Sequence, residues 1–371
     1  MADELTVLTL PPNAEEGEIY QWFPANGSEA SRDVAWRISW RFASRREGEQ
    51  PSVPIVVEAS LEREPGAGFL TLVRNLMLTD LWVLGPDAEP RDVLRADDWS
   101  WLQTKQGSLG PACIARGELL GSFFYKEVHD DQLRWKSFHN ASRRGQVLTL
   151  WAAASTGRFQ YVVEYGFTCD GSVMVRLGVF GPTAGEGAAA HLHVPCWSFE
   201  PDLGNSVSVE AALCALRQRG DGKADVVIAP FNDGKEGSAA ASLEEFTSLR
   251  FVNPTELNRH SPPRPCGFDL FLTVEGRVPN VRYSFSDFVV TVAEKNDSAV
   301  ASMVEAAALC QGRPLAYQRK RVYCATPIAH WPRAVHTSIS NRPHTQWGGF
   351  HLRPRDLFAA TPTYSGTFPT P

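Results

Sequence analysis

Along most of the chain, β-branched and aromatic residues come in short runs between Gly, Pro and Asp, and many of the runs alternate with period two. Trp36 to Phe42, Val53 to Val57 and Gln146 to Trp151 are such runs and predict strands. The clearest hairpin spans Phe159 to Phe180: Tyr161 to Phe167 alternates, Asp170-Gly171 supplies a tight turn, and Ser172 to Val179 returns. Asn205 to Leu216 carries both signals, since Glu210-Ala211-Ala212-Leu213 suits a helix while Val207, Val209, Ala211 and Leu213 alternate; the alternation favours a strand. Ser298 to Leu309 predicts a helix, with Met303, Ala307 and Cys310 on one face and Gly312 as its stop. Gly- and Ser-rich stretches at 181–187 and 233–242 predict mobile loops. No repeat, heptad run or phosphate-binding glycine motif interrupts this pattern. The expectation is a mainly β protein: one large antiparallel β-sandwich with few helices.

Composition narrows the setting. At 371 residues, with 11 Trp and 20 Phe, the chain can bury a substantial core. A formal net charge of −6 excludes nucleic acid as a main partner, because phosphate affinity is built from clustered Lys and Arg. No stretch approaches the roughly 20 apolar residues of a membrane span, and Met1-Ala2-Asp3-Glu4-Leu5 lacks the basic and apolar regions of a leader, so a cytoplasmic location with no membrane partner is expected. Seven cysteines without CxxC spacing suit buried free thiols, and the sequons at Asn26, Asn140 and Asn296 would matter only outside the cell. Residues 1–33, rich in Pro, Gly and Glu, read as an extension lying loosely on the surface or reaching a neighbouring subunit; residues 34–371 read as the domain.

Candidate chemistry concentrates on His191-Leu192-His193. Side chains two apart on a strand share a face, so both imidazoles can reach one ion without backbone distortion. With nine histidines in the chain, a same-face pair also arises by chance, and the bland reading is two surface imidazoles.

The order of several segments adds context. Tyr161 to Gly178, followed by His191-Leu192-His193 and Phe199-Glu200-Pro201-Asp202-Leu203, resembles the catalytic domain of copper amine oxidases. Phe69 to Leu81 looks like that family's segment leading to the active-site entrance. Arg250 to Arg259 is similar to its "VVNP…NR" stretch, Val322 to Pro332 to the strand carrying the third copper ligand, and Gly348 to Pro354 to the closing strand. The resemblance covers roughly residues 34–371 and implies a β-sandwich of the copper amine oxidase catalytic-domain type. It further implies one ion per chain held by His191, His193 and His330, with His336, His344 and His351 as competitors for the third position. Three imidazoles suit Cu(II) by affinity order and Zn(II) by geometry. A small-molecule substrate and a homodimer are also implied.

Two departures matter. In the family, a Tyr in an Asn-Tyr-Asp/Glu motif becomes the topaquinone cofactor. Here Phe159 stands at that place, flanked by Arg158 and Gln160, and a ring without the phenol oxygen cannot be converted, so no topaquinone is expected; a register two residues later would make Tyr161 the precursor. The family's Asp-Ala-Gly-Glu-Tyr-Gly context for the catalytic base is absent as well. Asp97 and Asp98, before Trp99, are the carboxylates nearest its expected place, and a buried Asp beside an aromatic would have the raised pKa of a base; the bland reading is a solvated turn. Glu118 matches a family acidic position of more structural character. Three functions follow: a quinone-less metalloenzyme that tailors a specialised metabolite by cyclisation, isomerisation, hydrolysis or oxidation; a non-catalytic pseudoenzyme binding a ligand or metal; or an active amine oxidase built on Tyr161.

Overall fold

In the computed structural model the period-two runs form two large antiparallel sheets packed face to face. The structure describes residues 16–23, 34–44, 52–63, 66, 68–85, 90–95, 99–101, 117–120, 123–136, 142–156, 159–180, 191–242, 244–273, 286–294, 302–330 and 345–358. The first sheet runs in the order β1 (Glu16–Phe23), β2 (Val34–Ser44), β3 (Ser52–Glu62), β4 (Phe69–Leu84), β12 (His191–Pro201), β19 (Lys320–Ala325), β18 (Phe288–Val292) and β15 (Gly237–Ala239). Two short strands join it, β5 (Arg91–Asp92) on β4 and β20 (Ile328–His330) on β12. The second sheet runs β14 (Ala224–Pro230), β13 (Glu210–Gln218), β16 (Ser248–Leu257), β17 (Pro265–Thr273), β21 (Gln346–Arg355), β11 (Val173–Phe180), β10 (Gln160–Thr168), β9 (Ser142–Ser155), β8 (Tyr125–Lys136) and β7 (Gly117–Leu119), with β6 (Ser100–Trp101) on β9.

Aromatic side chains from both sheets meet in the core. Phe199 on β12 stacks on Phe350 of β21 at 5.7 Å, Trp197 lies edge-on to Tyr165 of β10, and Trp36 of β2 packs on Phe167 of β10 at 5.2 Å. Each fully buried ring of this size removes roughly 150–250 Å² from water, worth about 4–6 kcal/mol before ordering entropy is subtracted. Their polar atoms are satisfied across the layer: Trp36 Nε1 donates to the Thr168 carbonyl at 2.9 Å and Tyr165 Oη to the Pro54 carbonyl at 2.8 Å.

At the far end of β12, Glu200 is buried and accepts from Arg321 at 2.6 Å, from Asn75 at 3.1 Å and from Arg319. Burial alone would raise this carboxyl, but the hydrogen bonds and charges of Arg321 and Arg319 hold it below the usual carboxylate range.

The expected hairpin is present as β10 and β11, with Gly171 at φ +84° in its turn. The ambiguous segment is β13 from Glu210 onward, and 205–209 is a turn. The helix α1 (Met303–Leu309) starts at a Ser302/Glu305 capping box, and its buried residues are Met303 and Ala306, so Ala307 faces solvent instead of the core. It docks on the first sheet through Met303 N, which donates to Asp80 at 2.9 Å.

Two expectations, one for a loop and one for the N-terminal extension, are corrected. Residues 233–242 form ordered chain, because the buried Glu236 carboxylate accepts from the Val292, Gln311 and Arg313 backbone and pairs with the Arg313 guanidinium at 2.8 Å. Within the first stretch, Glu16–Phe23 is not loose: Ile19, Gln21 and Phe23 are buried, an alternation hidden among Pro, Gly and Glu signals. Residues 181–187, Cys113 and the three sequon asparagines lie outside the described residues. Among the described residues, no helix is long and apolar enough to cross a membrane.

Strand β14 is an edge, and its Val226 and Ile228 are 64% and 54% exposed. By contrast the centre of the second sheet is tight. A Cβ on Gly349 would lie 1.9 Å from the Val175 carbonyl and 2.6 Å from Arg176 Cα, both backbone atoms that cannot yield. Gly349→Ala is therefore expected to cost about 3 kcal/mol or more in urea unfolding, whereas Gly220→Ala, with nothing within 4 Å, stays within about 0.5 kcal/mol.

Candidate metal centre

The backbone register gathers the histidines. His191 and His193 open β12 on one face, and β20 pairs with that end so that His330 lies directly opposite His191 and Ile328 opposite His193. Directly opposed residues of an antiparallel pair share a face, so all three imidazoles project to the same side. Of the competitors for third position, His351 lies in β21 opposite Met174 and Phe271, and His336 and His344 lie outside the described residues. Asp97 and Asp98 also lie outside them. Glu118 is at the surface, 3.6 Å from Lys126, which suits a structural role.

Phe159 sits among the three imidazoles. Its ring centroid lies 4.7 Å from that of His193, 5.3 Å from His191 and 6.1 Å from His330, edge-on in each case. Just before β10, Thr156 N donates to the Phe159 carbonyl at 3.0 Å. Tyr161, two residues on, is fully buried; its oxygen lies 3.3 Å from His193 Nδ1 and its ring stacks on Trp99 at 5.5 Å. Trp99, legible in the sequence only as the aromatic after Asp97 and Asp98, is thus a neighbour of the site.

His193 is fully buried and His330 nearly so. Burial pushes the His193 pKa well below the ordinary histidine value, and His330 and His191 add to the effect. His193 is thus a neutral imidazole at pH 7, the state in which a nitrogen can ligate a metal. Its Nε2 is buried with no hydrogen-bond partner among the described residues. The donor chemistry therefore fits a borderline divalent ion. The arrangement itself is more open: the His193 ring centroid is 5.8 Å from that of His330 and 6.4 Å from that of His191. Among the described residues, no group of three or more His, Cys, Asp or Glu side chains converges to hold an ion as it stands.

A third element is Gly348 in β21. A Cβ there would meet Ile328 Cγ1 at 2.4 Å and the Thr326 carbonyl at 3.2 Å, so the missing side chain lets the second sheet approach β20 two residues from His330.

No protein-family model matches the sequence, and no curated protein matches it in sequence. Solved structures do match in fold. A copper-containing benzylamine oxidase from Hansenula polymorpha superposes with TM-score 0.63 at 11% identity, over 96% of this chain and 79% of that one. An Aspergillus nidulans amine oxidase gives 0.64 at 12% identity, and the Pichia pastoris lysyl oxidase 0.59 at 13%, each over 88% of this chain. This chain spans about half the length of those two, 52% in each case. The fold is thus that of the copper amine oxidase structures, as the order of the sequence segments implied.

The His193 environment sets a pH dependence. Because its folded pKa is lowered, the unfolded chain binds the extra proton first, so stability is full above the unfolded pKa of about 6.5 and falls as pH drops below it, by at most about 1.4 kcal/mol per unit. In chelator-treated protein, His193→Gln is expected to flatten the pH slope of urea stability between about 6.5 and 5; an unchanged slope would show that His193 charges freely.

Proposed function

We propose that this chain is a quinone-less, amine-oxidase-like metalloprotein in which His191, His193 and His330 bind one Cu or Zn ion beside a small-molecule pocket. The observation that carries this reading is the position of Phe159, whose phenyl ring lies against all three imidazoles. In the resemblance stated above, that place belongs to the quinone precursor. When bound, an ion of this kind polarises a carbonyl or lowers the pKa of a bound water. The chain's own residues supply a neutral imidazole at His193, a buried apolar wall from Phe159 and Trp99, and exclusion of water around His193. Such a site suits tailoring of a small metabolite by cyclisation, isomerisation, hydrolysis or oxidation. A homodimer in the cytoplasm goes with this reading.

Two further readings each have an observation in their favour. The spread of the three rings around Phe159, with no converged donor set among the described residues, favours a non-catalytic pseudoenzyme that binds a ligand. The 3.3 Å approach of the Tyr161 oxygen to His193 favours an active oxidase with Tyr161 as precursor.

Elemental analysis separates them. The purified chain is expected to carry one equivalent of Cu or Zn, and His191→Ala to lose it while keeping its circular dichroism spectrum; unchanged metal content in the variant would defeat the assignment. Copper-loaded protein kept in air is expected to show no visible quinone band, and a band would favour the Tyr161 reading. Sedimentation is expected at twice the chain mass, and a single chain mass would reject the dimer.

A further inference from the structure

We propose that Trp101, Trp99 and Tyr161 form a one-electron relay, which carries an oxidising equivalent inward from the protein surface and leaves it on Tyr161 as a neutral tyrosyl radical. The rings are consecutive neighbours. Trp101 lies edge-on to Trp99 at 5.4 Å between centroids, and Trp99 stacks on Tyr161 at 5.5 Å with 23° between their planes. At such separations aromatic rings are in van der Waals contact, so an electron passing between them crosses neither saturated chain nor solvent.

The three stations differ in what happens to the proton of an oxidised ring. Trp101 is half-buried, so an oxidant in solution can reach it. On its other side lies Phe42, edge-on at 5.5 Å, whose benzene ring is too hard to oxidise to carry charge that way. Trp99 is buried, and its Nε1 has no hydrogen-bond partner among the described residues. Lacking an acceptor, its radical cation keeps the N–H proton and stays a strong oxidant, so the charge does not settle there.

Tyr161 is fully buried as well, but its oxygen lies 3.3 Å from Nδ1 of His193, an imidazole nitrogen that can accept the phenol hydrogen. Burial weakens that base, yet a phenol that has lost an electron is a far stronger acid than an imidazolium. Tyr165 supplies the contrast: equally buried, it donates to the Pro54 carbonyl, an oxygen that does not take up a proton.

Electrons and protons balance. A radical oxidant in solution, of the azide type, takes one electron from Trp101 and becomes its anion. One electron then passes from Trp99 to Trp101 and one from Tyr161 to Trp99, restoring both indoles. The Tyr161 O–H bond breaks, and its proton forms an N–H bond at His193 Nδ1. No ion takes part, so the relay stands apart from the metal reading above.

Pulse radiolysis of the purified full chain in azide solution tests the relay, since the azide radical oxidises indoles first at neutral pH. Part of the indolyl radical band is expected to decay as the tyrosyl band grows, at a rate independent of protein concentration and slower in D2O. That phase is expected to be lost in Tyr161→Phe, which keeps a ring on Trp99, and in Trp99→Phe, which keeps an aromatic in place but not an oxidisable one; circular dichroism checks the fold of both. An unchanged phase in either variant overturns the relay. So does a native chain whose indolyl radicals decay without forming tyrosyl radical, or do so equally fast in H2O and D2O, and these native outcomes decide alone should a variant unfold.

Discussion

Backbone pairing on both sides of β12 is the constraint from which the rest of the site follows. The strand is held by β4 on one side and by β19 and then β20 on the other, so the positions of His191 and His193 are fixed by ladders and not by loops. A slip of one residue would turn both imidazoles to the opposite face. The register is secured by what lies further along the strand: Trp197 and Phe199 interlock with the second sheet, and Glu200 gathers two guanidinium groups and the Asn75 amide. A bulge between Ser198 and Glu200, where Asn75 of β4 adopts φ +51°, aims the carboxylate at those partners.

A buried ion cluster of this kind is weak evidence for net stability, because desolvation consumes much of the Coulomb gain. Its value here is positional. Removing one partner would leave an uncompensated charge in the core, so few other arrangements of β12, β4 and β19 are tolerated. The histidine end has the opposite character, with the neutral His193 ring buried against Phe159 and Tyr161. One strand thus joins a charged clamp to an uncharged site.

Much of this was legible in the sequence. Period-two alternation exposed the strands, Asp170-Gly171 the central hairpin, and HxH the shared face of two imidazoles. The approach of His330 was legible through the order of family-like segments, since nothing local to Ile328–His330 announces a pairing with a strand more than 130 residues earlier. Other features were hidden for physical reasons. The order of residues 233–242 depends on Arg313 and Val292, far away in the chain, so a Gly- and Ser-rich composition misled. Trp99 gave no signal of its own because stacking on Tyr161 is a tertiary event. Gly348 reads as one of two adjacent glycines, and its role in the approach of Ile328 emerges once the sheets are facing.

The exposed margin at β14 shows how a large open sandwich avoids growing further. A strand with one side unpaired among the described residues, and with Val226 and Ile228 facing water, is a template for adding another chain's strand. Its length is the safeguard: Asp225, paired with Arg219 at 3.3 Å, sets a charge at one end, and Pro230, which has no amide hydrogen to donate, closes the other. The sticky window is thereby cut to Val226–Ala229, too short for a stable intermolecular ladder. Solubility at this margin is governed by the two gatekeepers flanking the window more than by the polarity within it.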